Sequence, residues 1–282
     1  MNSPTPGSAA AAGGHAVDRT AGPTAGRTLR LGGARAEIRR DPFVASAFVL
    51  AIDGADQSHV DLGDPGSLFF DYVRRIGAVI DRFRMPGRPI TAVHLGAGAL
   101  TLVRYVQATR PDSTQHVVEL HGELIDFVTD HLPLPAGTRL TVQAGDAALE
   151  VPRLADTSRG EADLVVSDLY RGIVTPPALR TADFYTGVAG LVAPDGVLAV
   201  NVADDEGLPM TRELLHAVSA ALPHVLVLGP ASVVTSGRAG NSVLLASASP
   251  GLFDLVPGLA AAGPHPGSVL TAAEFTARAP WA

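Results

Sequence analysis

The residues with chemical potential in this chain are glycines and carboxylates placed at the ends of apolar runs. Ala92-Val93-His94-Leu95 is a short apolar run that ends in Gly96-Ala97-Gly98, and an amphipathic segment follows at once. A buried parallel strand hands over in this way to a helix whose N-terminus can face a ligand. Glu119 lies 21 residues after Gly98, at the end of Gln115-His116-Val117-Val118. A carboxylate at that place can accept hydrogen bonds from both hydroxyls of a ribose. Asp146 follows a third run through Gly145, and Asp168 ends a fourth, Leu164-Val165-Val166-Ser167. In an open α/β sheet, ligands sit outside the carboxyl ends of the strands, so Gly96, Gly98 and the three acids fall on one rim. Taken singly, Gly-x-Gly is also the mark of a tight turn without a ligand, and each acid is equally read as a helix cap or a solvated loop residue. Their joint placement at successive strand ends points to a nucleoside-type site. Gly96 and Gly98 would let backbone approach the cofactor, and Glu119 would bind its ribose. Asp146 and the Ala147 amide would face an adenine. Asp168 would orient or deprotonate an attacking group, or sit near a sulfonium cation.

The elements that must position these residues read as repeats. Residues 1–26 are mostly Ala, Gly, Pro, Ser and Thr and cannot bury enough surface to order themselves, so a disordered tail is expected there. Residues 27–62 alternate apolar and polar with Gly32-Gly33 and Asp53-Gly54 between runs, the pattern of a small region of antiparallel hairpins. A helix is expected over 68–83 from its apolar spacing. Strand–helix units follow through 63–249, with strands near 90–95, 115–120, 138–143, 163–168 and 197–202. Two last apolar runs, 225–228 and 242–246, are joined by a loop too short for a parallel crossover. Five strand–helix repeats imply a right-handed, doubly wound parallel sheet. A parallel sheet that ends in an antiparallel hairpin is the class I S-adenosylmethionine-dependent methyltransferase-like α/β architecture. A nicotinamide fingerprint would want a third glycine where Thr101 stands. Residues 250–282 read as a peripheral helical segment.

Composition sets outer limits. The chain of 282 residues, 46% of them hydrophobic, suits one large α/β domain with a small appendage. A net charge of −7 without a basic run argues against a nucleic-acid partner. The absence of cysteine removes disulfides and thiolate chemistry. His94, His116 and His121 have no cluster of acids at ligand spacing, so no metal is expected. No apolar run is long enough to span a membrane and no signal peptide is evident, which makes a cytoplasmic location the default.

Over roughly residues 28–247 the chain resembles the spermidine synthase (polyamine aminopropyltransferase) family, in the manner of divergent actinobacterial members. The resemblance is carried by Asp53-Gly54-x-x-Gln57-Ser58, by Leu95-Gly96-Ala97-Gly98-Ala99-Leu100-Thr101-Leu102-Val103-Arg104, and by Val117-Val118-Glu119. Gly145-Asp146-Ala147, Val165-Val166-Ser167-Asp168, Asp183-Phe184-Tyr185 and Pro194-Asp195-Gly196 continue it in order. It implies a cofactor contact from Gln57 and a co-substrate that is S-adenosylmethionine, its decarboxylated form or methylthioadenosine. It also implies a small-molecule acceptor such as an amine, and a homodimer formed through the N-terminal β-region. Asp168 would be the base, with Tyr170 assisting.

The departures are on the substrate side. The family's glycine loop reads Gly-Gly-Gly-Asp-Gly-Gly, and its Asp, which binds the aminopropyl amine, is Ala99 here. The family's Asp-x-x-Asp becomes Asp168 and Arg171, and its Tyr-His pair becomes Phe70-Asp71. A cation at Arg171, at about 4 Å and an effective dielectric near 20, would repel an ammonium by about 4 kcal/mol. Ordinary putrescine is therefore disfavoured unless Asp71 compensates or Arg171 points away. A methyltransferase remains a rival, with Arg171 or Arg104 pairing the methionine carboxylate, as does a non-catalytic nucleoside-binding homologue. Arg104 and the Arg74-Arg75 pair otherwise read as solvated helix faces.

Overall fold

The computed structural model describes residues 26–170 and 174–278. Nearly all of the expected tail and the substrate-side Arg171 lie outside the described residues. The chain opens with a four-stranded antiparallel sheet, β1 (Arg27–Leu31), β2 (Ala34–Arg40), β3 (Ala47–Ile52) and β4 (Ala55–Asp61), in the order β1-β2-β3-β4. Its β1–β2 and β3–β4 turns fall where Gly32 and the Asp53-Gly54 pair supply left-handed backbone. Gln57 and Ser58 lie on β4.

The second sheet alternates with helices: α1 (Asp71–Arg82), β5 (Thr91–Leu95), α2 (Thr101–Thr109), β6 (Thr114–Glu119), α3 (Gly122–His131), β7 (Arg139–Ala144), α4 (Ala147–Thr157), β8 (Ala162–Ser167), α5 (Ala182–Ala189), β9 (Val192–Asp204), α6 (Pro209–Ala221), β10 (His224–Pro230), α7 (Ala231–Val234), β11 (Gly240–Ser247), α8 (Val256–Ala262), β12 (Gly267–Thr271) and α9 (Ala272–Arg278). Its order is β12-β10-β11-β9-β8-β5-β6-β7. Strands β5 to β9 pair in parallel, while β11 runs antiparallel to both β9 and β10. The central strands are mostly apolar because helices cover both faces. The hairpin inserted beside β9 is the methyltransferase-like ending that the short 229–240 connection required.

Two expectations need correction. The segment after residue 249 is not purely helical, because β12 adds an antiparallel edge to β10 and covers that side of the sheet. The Pro194-Asp195-Gly196 stretch is not a turn outside the strand but part of β9, which shifts register against β8 at Ala162/Leu164. A side chain at Gly196 would meet the Ala162 carbonyl at 2.7 Å, which keeps that irregular pairing close.

Helices α1, α2 and α8 cover one face of the large sheet, and α4, α5 and α6 the other. A third cluster joins Leu31, Ala36, Ile38, Leu50 and Val60 of the small sheet to Ala99, Leu100 and Val103 at the start of α2. The small sheet is thus packed against the glycine turn through one shared core. Among the described residues, no helix is long and apolar enough to cross a membrane.

Two buried polar residues fix the geometry behind the turn. Arg110 donates from Nε to the Ile80 carbonyl (2.8 Å), from Nη2 to that of Phe83 (2.8 Å), and from Nη1 to those of Met85 and Arg88 (3.1 and 2.9 Å). It ties the end of α1 and the following loop to the end of α2. Arg110→Met leaves these carbonyls without their donor, at a cost of about 3 kcal/mol. Urea unfolding should show a lower midpoint with an unchanged slope.

His94 on β5 shares a hydrogen bond between Nε2 and Gln115 Oε1 (3.0 Å), and Gln115 donates to the Val103 carbonyl (3.1 Å). Burial lowers its pKa from 6.5 to about 4. Between those values the unfolded chain binds a proton that the folded chain does not, so stability falls as pH drops through that window. The loss amounts to about 3 kcal/mol by pH 4. Between pH 7 and 4.5, His94→Gln should lose less stability in urea titrations than the unmodified chain; equal losses would refute the assignment.

Candidate functional site

A cleft of about 620 Å³ opens at the carboxyl ends of β5, β6 and β8. It brings together Gln57, Gly96, Gly98, Glu119, Asp168 and Tyr170 from the sequence reading.

The glycine turn forms the floor. Gly96 (φ 86°) and Gly98 (φ 49°) both use left-handed backbone. A Cβ on Gly96 would lie 2.2 Å from the Asp168 carbonyl oxygen, and one on Gly98 would lie 2.4 Å from Ser58 Oγ. These glycines are therefore required first by the chain's own close packing, on the end of β8 and on β4. Ser58 Oγ accepts from the Ala99 amide (3.0 Å), and Thr101 Oγ1 donates to the His59 carbonyl (3.1 Å). Leu100, the fifth place of the glycine pattern, also stands in the left-handed region (φ 60°), held there by burial in the shared core. Ala99 is fully buried and off the cleft wall, so no carboxylate reaches the cleft from that place.

Glu119 sits on the wall with both oxygens engaged. Oε2 accepts from the Ala97 amide (3.1 Å) and Oε1 from the His121 amide (3.0 Å). Each oxygen keeps lone-pair capacity for a further donor. Asp146 does otherwise than expected. Its side chain caps α4 by accepting from the Ala148 amide (2.9 Å), and neither it nor Ala147 lines the cleft, which ends at Leu120 and His121. The helix-cap reading describes Asp146.

Asp168 stands at the centre. Its Oδ2 accepts from the Tyr72 hydroxyl (3.1 Å) and its Oδ1 from Asn201 Nδ2 (2.8 Å). Asn201 is oriented in turn by Asn241, whose Nδ2 donates to its Oδ1 (3.0 Å). Burial pushes the Asp168 carboxyl above its usual value, and the bonds from Asn201 and Tyr72 oppose that shift. Burial, and then the Asp168 charge, push the Tyr72 phenol well above its ordinary range, so it remains a donor. Tyr170 also lines the cleft, but its hydroxyl donates to the Asn201 carbonyl (3.0 Å) and accepts from the Ala203 amide (2.6 Å). That tie holds the segment after β8 against β9, and burial keeps the phenol protonated.

Tyr72, Asn201 and Asn241 were not among the residues singled out from sequence. Tyr72 reads there as one member of an apolar helical stripe. Asn201 carried a usable signal, a carboxamide inside the apolar run Val200-Asn201-Val202 of a buried strand.

Two arginine expectations are corrected. Arg104 is neither solvated nor at the cleft; it is buried and donates to the carbonyls of Ala99, Leu132 and Pro133. Burial lowers its pKa to about 10. Arg74 is exposed, but Arg75 is buried and grips Asp71 through Nε (2.6 Å) and Nη2 (3.1 Å). Among the described residues no group of three or more His, Asp or Glu side chains could hold a metal ion.

No family model matches this chain. It is 26% identical over 146 residues to the polyamine aminopropyltransferase of Chromobacterium violaceum, a stretch covering 51% of this chain and 53% of that protein. The match thus spans about half the length of that relative. A probable spermidine synthase from Corynebacterium glutamicum superposes with a TM-score of 0.76 at 24% identity, over 90% of this chain and 94% of that one. A spermidine synthase in complex with the transition-state analogue AdoDATO superposes with a TM-score of 0.58 at 18% identity, over 79% of this chain and 73% of that one. The chain has the methyltransferase-like fold of the spermidine synthases and is similar in sequence, over half its length, to a polyamine aminopropyltransferase.

Proposed function

We propose that this chain is a spermidine-synthase-like transferase that binds S-adenosylmethionine, its decarboxylated form or methylthioadenosine in the cleft. The observation that carries the reading is the placement of Asp168, held by Tyr72 and Asn201, in the same cleft as the glycine turn and Glu119. The neighbour that binds AdoDATO supports the class of ligand. In this reading Gln57, Gly96, Gly98 and Glu119 hold the nucleoside, with Glu119 accepting from the ribose. Cytoplasmic location, and pairing of two copies through the small sheet, belong to the same reading.

The reaction is a direct displacement. The acceptor's nitrogen lone pair attacks a carbon bonded to the sulfonium, and the carbon–sulfur bond breaks with its electron pair left on sulfur. The products are the alkylated amine and a neutral thioether. The proton released from nitrogen goes to an oxygen of Asp168. No covalent intermediate with the protein is needed, so alignment and the base are the main contributions. Tyr72 and Asn201 fix the carboxylate so that its remaining lone pairs face the cleft. Asn241 fixes which end of the Asn201 amide does so. Tyr170 positions the β8–β9 junction and takes no proton.

Ala99 keeps methyl transfer in view, because a methionine moiety carries its own carboxylate and does not need one from the protein. Isothermal calorimetry with S-adenosylmethionine, its decarboxylated form and methylthioadenosine separates the two. Tighter binding of the decarboxylated form indicates aminopropyl transfer, and tighter binding of the intact form indicates methylation. Failure of all three to bind would defeat the proposal. Asp168→Asn should lower turnover at least about 100-fold while nucleoside affinity is kept. Its melting temperature should equal or exceed that of the unmodified chain, because a carboxylate whose pKa is raised by burial costs stability at neutral pH. Undiminished turnover would remove Asp168 as the base.

A further inference from the structure

We infer that the acceptor is a primary monoamine, one ammonium on an uncharged chain, because Asp168 is the one carboxylate at that end of the cleft whose charge no cation offsets among the described residues. The inference deepens the transferase reading and rests on it.

Four carboxylates line the cleft: Asp56, Asp71, Glu119 and Asp168. Asp56 is paired with Arg39 at the rim. Glu119 belongs to the nucleoside end and already receives two backbone amides. Asp71 lines the same cleft from the first turn of α1, next to the Tyr72 that bonds Asp168, and its charge is offset by Arg75, which donates to each of its oxygens. The Arg75 side chain is only 4% exposed, and its third contact is the neutral Pro264 carbonyl (3.0 Å). Its charge is therefore opposed by Asp71, in a paired two-bond geometry that a flexible amine would have to break.

The donors to Asp168, by contrast, are a phenol and a carboxamide, both neutral. The described lining also includes Phe70, Pro230, Asn201 and Asn241, again without charge. One ammonium finds a partner here. The second ammonium of a diamine finds neutral groups or a carboxylate already neutralised, and must give up water for them. Asp71 thus does not supply the missing second acid, although its place in the sequence makes it the obvious substitute.

The test uses the whole chain saturated with methylthioadenosine and titrates butylamine against 1,4-diaminobutane, then pentylamine against 1,5-diaminopentane. In each pair the monoamine should bind at least tenfold more tightly. Asp168→Asn should abolish monoamine binding, and Arg75→Gln, which frees Asp71, should improve diamine affinity at least tenfold. If Arg75→Gln does not fold, the unmodified chain and Asp168→Asn decide the matter. Equal or tighter diamine binding by the unmodified chain, or no binding of either amine, overturns the inference. Failure of methylthioadenosine to bind counts instead against the transferase reading, and the amine titrations are then run without it.

Discussion

The structure turns on how the glycine turn is seated between two strand ends. Gly96 lies directly under the Asp168 carbonyl, and Gly98 lies against Ser58 Oγ on β4. Each contact leaves no room for a Cβ. Through the first, the turn is registered against Asp168, the carboxylate at the centre of the cleft. Through the second, the small sheet is locked to the start of α2, and β4 brings Gln57 to the cleft. The three-part core of Leu31, Leu50 and Leu100 then buries what the turn organises. The cleft exists because two sheets meet at one backbone turn, and both glycines are consumed in making that meeting possible.

Much of this was legible in the chain. Buried parallel strands announce themselves as apolar runs, and the short link between 230 and 240 forced the terminal hairpin. What sequence could not show is where polar atoms spend their hydrogen bonds. Asp146 and Glu119 look alike, each an acid at or just past the end of a strand. One caps the helix that follows it, and the other turns towards the glycine turn and stays on the wall. Helical spacing sorts residues by face, so Tyr72 counted as apolar although its hydroxyl lies on the polar edge of α1, within reach of Asp168 across 96 residues. Arg75 and Arg104 show the same limit in reverse. An arginine's stem packs as an apolar group, and its head is satisfied by carbonyls or a carboxylate that only the fold brings near.

The substrate side departs from the resembled family in a consistent direction. The position of the amine-binding acid is a buried alanine that serves packing. The acid that could compensate is held by a buried arginine. Among the described residues, the side chains that donate to Asp168 are neutral. Each change reduces the negative charge at that end of the cleft, while the glycine floor and the Glu119 wall stay in place. Electrostatics at one end of the cleft has been altered with the other end left in place.

The central claim is that the cleft is a nucleoside site centred on the glycine turn and Glu119. The affinity of methylthioadenosine for the unmodified chain and for Glu119→Ala tests it most directly. The account predicts saturable one-to-one binding that weakens at least about tenfold, or 1.4 kcal/mol, in the variant, with the variant's fold confirmed by circular dichroism. Equal affinity in the two proteins would contradict it.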